Sequence, residues 1–143
     1  MQEYANIKLR GIGADGKRKS YALSDFQGEK VVVYFYPKDE TSYCTKEACD
    51  FRDNQSRFGK NMRIVGVSPD SVDSHAHFHK KEGLNFVLLS DPDRELAKAF
   101  NVPDSMGFVS RTTFLLDEKG DIVKEWQNVK VDGHIEEVMN SAN

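Results

Sequence analysis

Two cysteines, Cys44 and Cys49, are the only thiols in the 143-residue chain. They are too few for a disulfide scaffold and, alone, too few for a structural zinc site. In a reducing compartment, paired cysteines serve catalysis, redox sensing or metal binding more often than structure. Both fall in a stretch that reads as a helix from about Ser42 or Tyr43 to Phe58, with Gly59 as its stop. At about 100° per residue, Cys44 shares an inward face with Ala48, Phe51 and Gln55. Cys49 lies about 140° away, on a polar flank with Arg52, Asp53 and Ser56. Helix geometry separates the two Cα atoms by about 8.7 Å. A disulfide tolerates at most about 7 Å. The pair therefore cannot bond while both are helical, and joining them requires the first turn to unwind.

Position adds a second property. The first turn of a helix offers unpaired N–H groups and the positive end of the dipole, which favour an anion. An ordinary cysteine, with a pKa near 8.5, is only about 3% thiolate at pH 7, and the thiolate is the nucleophile. Taken alone, a cysteine on an inward helical face reads equally well as a small core hydrophobe. Its neighbours have to decide.

The elements that would hold this helix are legible along the chain. Asn6–Arg10 and Lys19–Leu23 flank a Gly-Ala-Asp-Gly turn and read as a hairpin. Val31–Tyr36 is β-branched and aromatic without a polar break, as suits a strand buried on both faces, and Pro37 ends it. Arg63–Val67 is a second buried strand, Phe86–Leu89 a third and Thr112–Leu116 a fourth. Between them Ser71–Glu82, stopped by Gly83, and Asp93–Phe100 read as helices. Ile122–Trp126 follows a tight turn as an antiparallel partner, and a last helix starts near Asp132. This alternation predicts an α/β domain, residues 1–143, with a mixed central sheet flanked by helices.

Pro37, Thr41 and Cys44 match the pattern P-x-x-x-T-x-x-C, which resembles the active-site signature of the peroxiredoxins. The continuation from Cys44 to Cys49, with Phe51-Arg52-Asp53 after it, resembles the PrxQ, or bacterioferritin comigratory protein, branch. Ser24-Asp25-Phe26, Val65-Gly66-Val67-Ser68, Leu89-Ser90-Asp91 and the run from Arg111 to Asp117 extend the similarity over nearly the whole chain. The resemblance implies a thioredoxin-like fold and a peroxidase without cofactor or metal. It makes Cys44 the peroxidatic cysteine, oxidised to a sulfenic acid by hydrogen peroxide or an organic hydroperoxide. It makes Cys49 the resolving cysteine, closing an intramolecular disulfide that thioredoxin or a similar dithiol reduces. It further implies that Pro37 shields the pocket, that the Thr41 hydroxyl hydrogen-bonds the thiolate and peroxide, and that Arg111 supplies a fixed positive charge. A monomer is implied as well. If Thr112–Leu116 runs antiparallel to Val31–Tyr36, as in thioredoxin-like sheets, Arg111 arrives beside the end that leads to Cys44. The chain departs from the branch at Ser42-Tyr43, where Pro-Gly is usual, and at Ala5-Asn6-Ile7-Lys8, where Ala-Pro-x-Phe is common.

Other signals point elsewhere with less force. Twenty basic against 23 acidic residues leave a formal charge of −3, so no basic stripe marks a nucleic-acid or membrane partner. No secretory pattern opens the chain and no apolar run approaches the roughly 20 residues of a membrane span, which suits a cytoplasmic protein. His75, His77 and His79 have a metal-like spacing, but the surrounding helix reads as a polar, solvated face. Gly11-Ile12-Gly13-Ala14-Asp15-Gly16 imitates a dinucleotide fingerprint, but a returning strand follows where a helix is needed. A cysteine–histidine hydrolase lacks an acid poised to orient any histidine. A thiol–disulfide oxidoreductase would use C-x-x-C rather than this wider spacing, and a redox sensor without peroxidase activity is the remaining alternative.

Overall fold

The computed structural model describes residues 3–58, 62–105 and 108–142. Among these residues a seven-stranded mixed sheet forms the middle layer. Its strands are β1 (Leu9–Ile12), β2 (Arg18–Tyr21), β3 (Lys30–Phe35), β4 (Met62–Ser68), β5 (Val87–Ser90), β8 (Thr112–Leu116) and β9 (Ile122–Trp126). They lie in the order β2-β1-β5-β4-β3-β8-β9. A separate two-stranded ribbon, β6 (Asp104–Ser105) and β7 (Phe108–Val109), precedes β8. Four helices complete the described chain: α1 (Ser42–Asn54), α2 (Val72–Glu82), α3 (Glu95–Ala99) and α4 (His134–Ala142).

β3 shows why the sheet is central. Its alternate residues enter two different cores, Val31, Val33 and Phe35 on one face and Val32 and Tyr34 on the other, where Tyr36 joins them. The first core is closed by Leu96 and Ala97 of α3 and by Leu23 and Phe26 of a 3-10 turn. The second is closed by Cys44, Ala48 and Phe51 of α1, Phe78 of α2, and Val138 and Met139 of α4. A strand sandwiched in this way has no polar face, which explains its unbroken apolar sequence. β3 runs parallel to β4 and antiparallel to β8, with Phe35 opposite Thr112. The antiparallel placement expected for Thr112–Leu116 is thus present.

The N-terminal hairpin is displaced from its expected position. Its strands are Leu9–Ile12 and Arg18–Tyr21, and Asn6, expected to open the first strand, instead ends a 3-10 turn over Glu3–Asn6. Gly11 is the reason. A Cβ there would lie 2.2 Å from the Leu88 carbonyl oxygen, so a glycine that reads as loop permits β1 to dock against β5. The hairpin is an extension of the sheet, and Gly13–Lys17 forms its turn, through the Gly13 N–H bond to the Lys17 carbonyl at 2.8 Å.

Two helices also differ from the reading of the sequence. The α-helical part of α1 ends at Asn54 and continues as a 3-10 turn over Gln55–Phe58; the expected stop at Gly59 lies outside the described residues. α2 is capped as expected, with the Ser71 hydroxyl accepting from the Ser74 N–H and Gly83 in the left-handed region at φ 60°. It is not a solvated helix. His75, Phe78 and His79 are buried, and the two histidines bond to the Leu89 and Phe86 carbonyls at 2.9 and 3.0 Å. Only His77 of the three is exposed. No helix among the described residues is long and apolar enough to cross a membrane.

Candidate active site

β3 delivers the chain to the site. The Tyr36 N–H continues the ladder to the Val67 carbonyl at 3.0 Å, and half-buried Pro37, with no N–H to offer, ends it. The loop that follows is pinned through Asp39, which is 5% exposed. One carboxylate oxygen accepts from the Tyr36 hydroxyl at 2.6 Å. The other accepts from the Ser74 hydroxyl at 2.8 Å and the His75 Nδ1–H at 2.7 Å. The Asp39 N–H itself donates to Asp70 at 2.6 Å. Beside it Glu40 takes the left-handed conformation, φ 62°, and meets Lys81 at 3.1 Å and His77 at 3.5 Å. The histidines that resembled a metal cluster are thus divided between backbone carbonyls and this loop. α2 anchors the segment that carries Pro37 and Thr41.

Thr41 is the N-cap residue of α1, and its hydroxyl donates to the Lys38 carbonyl at 3.1 Å. One turn on, Cys44 is 1% exposed and packs under Tyr34 and Tyr36 with its neighbours Ala48 and Phe51. Its sulfur lies 3.1 Å from Nη2 of Arg111. These residues are 67 positions apart and meet because Arg111 immediately precedes β8, whose first residue pairs with the last of β3. The Val129 N–H, bonded to the Arg111 carbonyl at 3.0 Å, fixes the backbone there. The guanidinium places a fixed positive charge at hydrogen-bond distance from the sulfur.

Glu47 completes the arrangement and was not singled out by the sequence. Its Oε1 accepts from Arg111 Nη1 at 2.7 Å, while its side chain is 2% exposed. Its Oε2 has no partner among the described residues. Burial pushes the Glu47 carboxyl up to about 7, against the opposing pull of Arg111. A signal did exist: three residues after Cys44, Glu47 falls about 60° from it, an acid on the edge of the inward face.

Cys49 lies apart from this cluster. Both cysteines are free and helical, as their spacing requires. The Cys49 sulfur is half-buried and faces Glu82 Oε1 at 3.6 Å. Burial pushes its thiol above the ordinary value, Arg52 opposes this, and Glu82 and Asp53 add to it. The site therefore brings Cys44, Arg111 and Glu47 together, with Pro37 and Thr41 on the loop leading in, and holds Cys49 on the far side of the same helix. The histidines available to a hydrolase are engaged elsewhere, His134 with the Thr113 hydroxyl at 2.9 Å.

Comparison with known proteins agrees with this geometry. Residues 2–125 match the model of the AhpC/TSA family. The chain belongs to that family. Among curated relatives, peroxiredoxin Bcp of Bacillus subtilis is 45% identical, with 98% of this chain and 92% of the relative covered. A putative peroxiredoxin bcp of Coxiella burnetii is 47% identical, over 82% of this chain and 83% of the relative. Among solved structures, the bacterioferritin comigratory protein of Xanthomonas campestris, studied for its alkyl peroxide reduction activity, superposes with a TM-score of 0.88. It is 36% identical and covers 97% of this chain, which in turn spans 91% of it. A PrxQ variant of Xylella fastidiosa gives a TM-score of 0.89 at 37% identity, with 99% and 90% covered. This AhpC/TSA chain is thus a peroxiredoxin of the Bcp/PrxQ kind, with the thioredoxin-like fold its sequence resembles, and a peroxidase.

Proposed function

We propose that Cys44 is the peroxidatic cysteine of a thiol peroxidase acting on hydrogen peroxide and organic hydroperoxides. The observation that carries the assignment is the 3.1 Å contact between its sulfur and Arg111. The Cys44 thiolate attacks the terminal oxygen of the hydroperoxide; an S–O bond forms, the O–O bond breaks, and the departing alkoxide or hydroxide leaves with a proton from solvent. Cys44 becomes a sulfenic acid. Arg111 holds the thiolate and polarises the bound peroxide, Pro37 limits water around the sulfur, and Thr41 turns its hydroxyl to the thiolate and peroxide.

Resolution uses Cys49. Its sulfur attacks the Cys44 sulfenic sulfur, the S–O bond breaks, and the hydroxyl departs with the Cys49 proton as water. The product is the 44–49 disulfide, reachable only once the first turn of α1 unwinds. A dithiol donor of the thioredoxin type then reduces it by exchange. The enzyme acts as a monomer in the cytoplasm.

The test is a coupled assay with peroxide, thioredoxin, its reductase and NADPH. Peroxide-dependent NADPH oxidation by the wild type, abolished in Cys44→Ser, is the expected result. Absent oxidation, or full activity in Cys44→Ser, contradicts the assignment. Reduction of insulin disulfides without peroxide consumption would mark a disulfide oxidoreductase instead.

A further inference from the structure

α1 is held unequally at its two ends. Thr41, Ser42 and Tyr43 face solvent, Tyr43 with 69% of its surface exposed, and the N-cap side chain makes no capping bond. The second half is fastened to the C-terminus of α2. Arg52 Nη1 donates to the Glu82 carbonyl at 2.5 Å, and Asn85 Nδ2 donates to the Arg52 carbonyl at 3.2 Å. Between these ties the Cys49 sulfur rests against Glu82 Oε1 at 3.6 Å. The ties to the end of α2 thus fall on the half of α1 that carries Cys49 and not on the half that carries Cys44.

From this juxtaposition we infer that Glu82 is a positioning residue that restrains resolution, by holding the Cys49 S–H docked against its carboxylate. The inference rests on the reading of Cys49 as the resolving cysteine. A carboxylate oxygen accepts a hydrogen bond from an S–H group but repels a thiolate, and the thiolate is the attacking form. The charged groups facing this sulfur are Arg52 and Asp53 from α1 and Glu82 from α2. The one cation among them is engaged: Arg52 Nε sits on Asp53 at 2.8 Å and Nη1 on the Glu82 carbonyl. Burial acts in the same direction as Glu82. The consequence is a sulfenic acid at Cys44 that persists long enough to meet a second peroxide or another thiol.

The first measurement needs no peroxidase chemistry. In a Cys44→Ser background, the pH profile of Cys49 alkylation by iodoacetamide is compared with and without Glu82→Gln or Glu82→Ala. Both substitutions should move the midpoint to lower pH and raise the rate at pH 7 at least about threefold, because more of the thiol is then ionised. A midpoint that stays or rises in both overturns the proposal; a change in plateau rate alone reports access and also overturns it. The second measurement is rapid-quench formation of the 44–49 disulfide after one equivalent of peroxide. Glu82→Gln should form it faster and accumulate less sulfinic acid in excess peroxide; equal or slower formation overturns the restraint. If wild type forms no 44–49 disulfide, the assignment of Cys49 fails, while the alkylation profiles still report on Glu82.

Discussion

Arg111 divides its guanidinium between two groups, with Nη2 on the Cys44 sulfur at 3.1 Å and Nη1 on Glu47 at 2.7 Å. A lysine keeps the charge but loses the planar fork that serves both. Arg111→Lys should therefore slow the reaction of Cys44 with peroxide by about 10–100-fold, the scale of a lost charge-assisted hydrogen bond, as stopped-flow peroxide consumption will show. Glu47 gives the site a proton switch. Its folded-state value of about 7 lies above its ordinary 4.5. The stabilising contribution of its neutral form is intact below the lower value and is lost as pH rises through the upper one. Ionised, it competes with the Cys44 sulfur for Arg111. The difference in melting temperature, Glu47→Gln minus wild type, should thus become more positive between about pH 5 and pH 8. A flat difference would contradict the buried titration. Cys44, Cys49 and Arg111 were legible because their types and spacing are chemically restrictive. Glu47 was not, since an acid in a helix is usually solvated and only the approach of Arg111 makes this one tolerable inside.

Elements set the distances on which those residues depend. The ring of Tyr34 in β3 stacks on Phe51 of α1 at 4.7 Å and so supports the helix carrying Cys44. Beneath it lies Gly66 of β4, where a Cβ would come within 2.9 Å of both the Tyr34 ring and the Leu88 side chain. Gly66→Ala should cost about 1–3 kcal/mol in urea unfolding, the usual penalty of overpacking. An unchanged midpoint would mean that the ring yields without loss. β3 was readable because a strand buried on both faces admits no polar residue. α2 was readable as a helix, but its burial was not, because its inward face carries His75 and His79, polar letters whose ring nitrogens meet backbone carbonyls and Asp39. The hairpin shifted for a related reason: Gly11 looks like loop but serves as the place where β1 and β5 touch.

At the scale of the whole molecule, the sheet order brings a loop from β3 and the start of β8 to the same edge. That is how residues 67 positions apart meet. The alternation of strands and helices made a mixed sheet legible, and the resemblance to thioredoxin-like sheets implied the pairing of β3 with β8; the β6–β7 ribbon, of two residues per strand, is too short to leave a pattern. Burial also fixes how the fold responds to acid. His79 and His134 are pushed below the ordinary 6.5 chiefly by desolvation. Their contribution is full above that value and is lost as pH falls below it, because the unfolded chain binds the protons more readily. Between pH 7 and pH 5 the melting temperature of His134→Gln should fall less steeply than that of wild type; parallel slopes would exclude His134 from the acid response. The small net charge of −3 suits a site that takes small, uncharged peroxides without electrostatic steering. The central claim, attack by Cys44 and resolution by Cys49, is tested most directly by intact-mass analysis before and after one equivalent of peroxide. Wild type should lose about 2 Da as the disulfide forms, while Cys49→Ser should gain about 16 Da as the sulfenic acid is trapped. Peroxide consumed with no loss of mass in wild type, or the same loss in Cys49→Ser, would contradict the account.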